Sequence, residues 1–300
     1  MGLPGLRLTD LLGSVGLFAG QVPAAPPVGT FRRPSLPSDA VPGAGDEQSL
    51  GWVRDPLGRD DPPPLWAPRR LLLPGGAPAR QVSPTTCGAA VLAMLRYAGD
   101  PVAALAVAGG DGRDGGDGAG QGDPAGRFAA DQQRVHRACT RGPLGLPSWP
   151  PSLGTPPWAA AAHARYGPVR YTHRVVGAPG SAAARRVLDA ALDAARAGVP
   201  VPLYSGGDLA RGPATAVPRH VVLLTTVTGA APDATATLYE PSSGTLHSLP
   251  AAVLRAGTRA RTRPDRRGEA ARTRALGGWP HVVWAILPRG SSDEAPPWRA

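Results

Sequence analysis

The stretch SPTTCGAAVLAMLRYAG, residues 83–99, decides how the rest of this chain is read. Ala90, Val91, Met94, Leu95 and Ala98 recur at the spacing of one helical face, Thr86 stands where an N-cap belongs, and Gly99 stands where a helix stops. A helix so placed carries Cys87 in its first turn. Unpaired backbone N–H groups and the positive end of the helix dipole favour a thiolate over a thiol at such a position. Gly88 adds no bulk beside the sulfur, which leaves room for a substrate carbonyl to approach.

Working outward, three further residues complete a chemistry. Gln81 lies six residues upstream on the segment entering the helix, where its side-chain amide could donate to an oxyanion formed by thiolate attack. His220 opens the alternating apolar run HVVLLTTVT after a proline-containing loop, a setting that suits an imidazole at the rim of a cleft. Glu240 ends the run TATLYE, and a turn at 229–234 makes the two runs an antiparallel hairpin. A hairpin returns its second strand to the start of the first, so the carboxylate can reach the imidazole and fix the ring.

Each residue also has a plainer reading. A lone cysteine is most often a small core residue, His220 alone could be a strand-end polar group, and Glu240 alone a hairpin cap; their weight is joint. Tyr239 and Trp158, the latter in GTPPW at 154–158, either line the cleft as substrate contacts or pack in the core. Cys139, beside His136 on a polar helical stretch, reads as an incidental thiol.

Gln81 and Cys87 reproduce the Gln-x5-Cys spacing and Cys-Gly helix start of the papain-like cysteine peptidases, and the order Cys, His, then a carboxylate or amide agrees. Within that superfamily, QVSPTTCGAAVLAML, RHVVLLTTV and LYEPSSG resemble the group of bacteriocin-processing, double-glycine leader peptidases, over about residues 71–288. The resemblance implies a papain-like fold and thiol hydrolysis of an amide bond. It departs from the pattern at Glu240, where the group usually has Asp or Asn, and the chain carries no transporter domains, so a leader-peptide substrate does not carry over.

The remaining sequence sets the domain map. Gly and Pro supply 40 and 37 of the 300 residues, unevenly spread, so an ordered core with flexible flanks and inserts is expected. Residues 1–68 lack a sustained period and read as a flexible arm; 69–290 read as the papain-like domain; 109–126, rich in Gly and Asp, and 257–277, rich in Arg, read as flexible inserts; 291–300 read as a tail. Helices are expected at 128–138, from 155 onward and at 181–197, with strands at 169–176, 199–204 and 281–287. Helices first and antiparallel strands later give an α+β class, with an N-terminal helix carrying the cysteine packed on a sheet carrying the histidine and acid.

Composition excludes several functions. The chain contains no lysine, so a P-loop lysine, a Schiff base and a Ser-Lys dyad are out. Two cysteines without neighbouring thiols exclude a Cys-rich zinc site and a disulfide scaffold, and neither a metal nor any other cofactor is expected. No run of 18 apolar residues occurs, so no membrane association is expected. The net charge of +10 rests on arginine alone, and the Arg-rich stretch 255–274 has no interleaved aromatics, which disfavours nucleic acid as a partner. Arg7, an apolar stretch at 11–19 and VPA at 22–24 resemble a weak export signal; Asp10 and interior glycines favour the cytoplasm. The reading is therefore a thiol hydrolase acting on a peptide or protein substrate. The alternatives are a silent papain-like domain that binds a peptide or protein in the same cleft, and a basic nucleic-acid-associated protein.

Overall fold

In the computed structural model, residues 21–24, 47–109, 123–141, 149–178, 180–207, 218–256 and 266–289 are described. Seven antiparallel strands form one sheet: β1 (Arg69–Arg70), β2 (Tyr171–Val175), β3 (Val201–Gly206), β4 (His220–Thr228), β5 (Thr235–Glu240), β6 (Thr245–Pro250) and β7 (His281–Pro288), in the order β1-β6-β5-β4-β3-β7-β2. Successive residues of the central strands go to opposite faces. Val221 and Leu223 enter one apolar cluster while Val222 and Leu224 enter the other. A sheet buried on both faces needs strands that read as continuous apolar runs, which β4 and β7 do.

One face is covered by α1 (Glu47–Arg54), α2 (Cys87–Gly99), α3 (Pro101–Ala108), α4 (Pro124–Thr140) and α5 (Pro157–His163). The other is covered by α6 (Ala182–Arg196) and α7 (Ala251–Arg255), with α8 (Arg266–Ala275) beside them. The class is α+β, with the Cys87 helix packed on the sheet that carries His220 and Glu240.

Several expectations are corrected. The cysteine helix is not the first, since α1 precedes it and places Trp52 and Val53 in the core, joined by Leu57; residues 47–57 therefore belong to the folded unit rather than to a flexible arm. Only two residues of α1 are buried, too short an apolar signal to show as a period. Helix α2 is buried on every side except at Arg96, so it is a central helix and not an amphipathic one. Thr86 makes no side-chain cap to α2; its hydroxyl donates to the Ser83 carbonyl at 3.0 Å. Gly99 is demanded by packing, because a Cβ there would lie 2.4–2.7 Å from the backbone of Tyr166 and Gly167. Residues 266–277, read as part of an Arg-rich insert, form α8 and the turn after it. Of the Gly/Asp insert expected at 109–126, Asp123 caps and 124–126 open α4; its residues 110–122, residues 257–265 and the tail at 291–300 lie outside the described residues.

The cap of the 181–197 helix and the hairpin match the sequence reading. Ser181 caps α6 by accepting from the Ala184 N–H at 3.0 Å. The β4–β5 hairpin forms, with Leu223 opposite Tyr239. Among the described residues no single helix is long and apolar enough to cross a membrane.

Candidate active site

Cys87 is the first residue of α2. The earliest bond of the helical ladder runs from the Ala90 N–H to the Thr86 carbonyl at 2.8 Å, so the N–H groups of Cys87, Gly88 and Ala89 precede it. The segment leading to the cysteine is pinned in three ways. The Tyr239 hydroxyl donates to the Ala79 carbonyl at 2.6 Å, the Gln81 N–H donates to the Pro241 carbonyl at 2.8 Å, and the Gln132 amide bridges both Arg80 and Val82. Gln132 is wholly buried, and its clamp fixes the path of the chain six residues before the sulfur.

His220 and Glu240 come together as the hairpin requires. Continuing the register of Leu223 with Tyr239 sets Glu240 opposite Val222, two residues from His220, and the imidazole Nε2 lies 2.7 Å from Glu240 Oε1. The carboxylate also accepts from the Ser242 N–H at 2.7 Å, the Ser243 N–H at 2.9 Å and the Ser243 hydroxyl at 2.6 Å. Burial by itself would raise the Glu240 pKa; hydrogen bonds from His220, Ser243 and Ser242 reverse that and pull it down to about 2. An ionised carboxylate only accepts, so Nε2 carries the proton and donates to it. The second ring nitrogen, Nδ1, is thereby left for Cys87. Burial would lower the His220 pKa, but hydrogen bonding to Cys87 and to Glu240 outweighs it and pushes the imidazole up to about 9.

Cys87 and His220 both line a cleft of about 140 Å³, together with Pro84, Thr85, Thr155 and Tyr204. A buried cysteine beside a salt-bridged His–Glu pair, opening on a cleft, has the geometry of a cysteine hydrolase.

The other site residues are placed as follows. The side-chain amide of Gln81 donates to the Ser83 carbonyl at 2.8 Å, and its Oε1 is buried without a hydrogen-bond partner among the described residues. A Cβ at Gly88 would lie 2.7 Å from Thr155 Cβ and 2.8 Å from its Oγ1, so the glycine admits the Thr155 side chain beside the cysteine. Tyr239 is fully buried and belongs to the core. Trp158 is 42% exposed and meets Trp149 edge-on, with ring centroids 5.1 Å apart. Among the described residues no group of three or more His, Cys, Asp or Glu could hold a metal ion.

Several residues around the site are not evident from the sequence. Thr155 is buried beside Cys87, and its hydroxyl has no partner among the described residues. Its loop is held by Tyr204, whose hydroxyl donates to the Thr155 carbonyl at 2.9 Å. Gly277, with φ +69°, is the floor under His220: a Cβ there would lie 2.2 Å from the ring Cδ2 and 2.5 Å from Nε2. The Ser205 hydroxyl donates to the Leu276 carbonyl at 2.8 Å, tying this turn to β3, where Ser205 also pairs with His220. The Gly277-Gly278 pair after an Arg-rich stretch signals a turn, though not the histidine above it.

Compared with known proteins, the chain matches no family model, no curated protein and no solved structure.

Proposed function

We propose that this chain is a papain-like thiol hydrolase that cleaves a peptide or other amide bond. The carrying observation is that Cys87 and His220 line one cleft with Glu240 bonded to the imidazole, the carboxylate held ionised and the imidazole held basic. In this reading Cys87 attacks the carbonyl carbon as a thiolate, and His220 gives its proton to the leaving nitrogen. Water then attacks the thioester carbon while His220 takes the proton, which releases the acid and restores the thiol. Glu240 keeps the ring oriented throughout. The N–H groups at the start of α2 are the oxyanion donors, with Gln81 assigned the same role through the second proton of its amide. Gly88 leaves the sulfur's flank narrow enough for Thr155 to border the substrate, and Trp158 is assigned to a more distant part of the same substrate.

The order Gln81, Cys87, His220, Glu240 and the text around each support placement in the papain-like superfamily, nearest the double-glycine leader peptidase-like group. The domain so proposed is 69–290, extended by the helix at Glu47–Arg54, and its substrate is a peptide or protein in the cytoplasm. The test is a positional-scanning library of fluorogenic peptidyl amides, with Cys87→Ala as the blank. Fluorophore release that disappears in Cys87→Ala is the expected result. No release by a chain whose Cys87 is still selectively alkylated would favour the silent, peptide-binding alternative.

A further inference from the structure

On the sheet face opposite the cysteine helix, a pocket of about 30 Å³ lies between the first turn of α6, α7 and α8. Arg272 lines it, is 4% exposed, and points part of its guanidinium at the C-terminal end of α7, where Nη1 donates to the Ala256 and Val253 carbonyls. Nε and Nη2 are buried with no hydrogen-bond partner among the described residues. Those two nitrogens form the side-on fork of the guanidinium, the edge that matches two oxygens of a phosphate or carboxylate.

The surroundings are cationic. Arg255 and Arg185 line the same pocket, as do Gly177 and Gly180 of the loop before α6 and Ala184 of its first turn. Two acids stand near. Asp189 is engaged by Arg255 at 2.6 Å, and Glu269, on the helix of Arg272, is exposed and makes no hydrogen bond to it among those described. A buried, charged donor edge without an acceptor is unfavourable, and an anion is the occupant that would satisfy it.

We propose that this pocket is a binding site for a small oxyanion, phosphate in the first instance, held side-on by Nε and Nη2 of Arg272 and supported by Arg185 and Arg255. The site is independent of the hydrolytic reading, and lies across the sheet from Cys87. The experiment is thermal unfolding and isothermal titration of the full chain with inorganic phosphate, against chloride at equal ionic strength and pH, with acetate as a second arm. Saturable stabilisation by phosphate is expected, at least tenfold weaker in Arg272→Gln and weakened severalfold in the exposed Arg185→Ala. A stronger response to phosphate than to acetate marks a phosphoryl site, and an equal response marks a general oxyanion site; both support the proposal. No saturable effect, or undiminished affinity in a folded Arg272→Gln, overturns it. Should Arg272→Gln fail to fold, undiminished phosphate affinity in Arg185→Ala overturns it instead.

Discussion

Cys87 and Cys139 are buried to nearly the same extent, 4% and 2% exposed, and both lie close enough to Tyr204 to influence its hydroxyl, yet their surroundings differ in kind. Cys139 ends α4 inside the apolar cluster, where burial alone acts on it and pushes its thiol up to about 12. Cys87 begins α2, borders a cleft, and lies beside His220, which is hydrogen-bonded to Glu240. Fractional burial therefore says little about a cysteine's chemistry; the charged groups that share its pocket, and which end of a helix it occupies, decide it.

The largest effect expected from this contrast is in alkylation. At pH 7 a thiol with a pKa near 12 is ionised to about one part in 10⁵, so Cys139 should react with iodoacetamide only on unfolding. Cys87 should be modified at least about a hundredfold faster in the native chain, as mass-spectrometric mapping against time would show. Comparable rates at both positions would break the comparison and remove the nucleophile from the proposed function.

Next in size is the loss of the partner. His220→Ala should slow Cys87 alkylation at pH 6 by about tenfold or more while leaving Cys139 unchanged, because the cation that supports a thiolate is gone. Glu240→Gln should be milder, since an amide can still orient the ring. The pH dependence has a definite sign. His220 has a folded-state pKa raised from 6.5 to about 9, so its pairing contribution to stability is complete below about 6.5 and fades as pH rises through about 9. The difference in unfolding free energy between wild type and His220→Ala should therefore shrink above pH 9. A difference that grows there would mean the ring is not held as an imidazolium.

The glycine turn under the imidazole allows a sharper comparison between neighbours. Gly277 and Gly278 both have positive φ, +69° and +90°, but a Cβ at Gly277 meets the His220 ring and one at Gly278 meets nothing within 4 Å. Both alanine substitutions should cost about 1 kcal/mol of backbone strain. Only Gly277→Ala should also cut the Cys87 alkylation rate, by severalfold, because the ring must move. Equal rates in the two variants would show that the turn does not position His220.

What is legible in the sequence follows from how local each signal is. The Cys87 helix and the β4–β5 hairpin are written in contiguous runs with a start and a stop, and two hairpin ends meet by construction, so the pairing of His220 with Glu240 follows from chain order alone. Gly277 cannot be paired with His220 in that way, because 57 residues separate them and only the tertiary fold brings the α8 turn onto the ring. Gln132 is similar: its neighbours on α4 are polar, and nothing in their pattern says that one amide would be wholly buried to clamp Arg80 and Val82. Tyr239 can be read either way from its position beside Glu240. Alternation puts it on the same face as Cys87 and leaves both readings open; its complete burial and its hydrogen bond to the Ala79 carbonyl settle it as core.

The smallest effect expected is at Ser243, and it tests whether the acidic end of the site is as redundant as it looks. The Ser243 hydroxyl is one of four donors to Glu240, the others being the Ser242 and Ser243 N–H groups and His220, and it also meets Thr245 Oγ1 at 2.5 Å, which in turn meets His247 Nε2 at 2.8 Å. Ser243→Ala removes one donor and leaves three, so Glu240 should stay ionised at neutral pH with its pKa only partly relaxed toward 4.5. A hydrogen bond to a charged group contributes about 1.5–3 kcal/mol when nothing replaces it, and the remaining donors should hold the loss near the lower figure. Because Glu240 has its pKa depressed to about 2, this contribution is complete above about 4.5 and is lost as pH falls through 2. Urea unfolding should thus separate Ser243→Ala from wild type at pH 7 and bring the two together near pH 2, while Cys87 alkylation at pH 7 changes by no more than about twofold. If Ser243→Ala instead slowed Cys87 as much as His220→Ala does, the carboxylate would depend on that one hydroxyl. The contrast between a well-supported cysteine and an unsupported one would then rest on the Ser243 hydroxyl rather than on the hairpin.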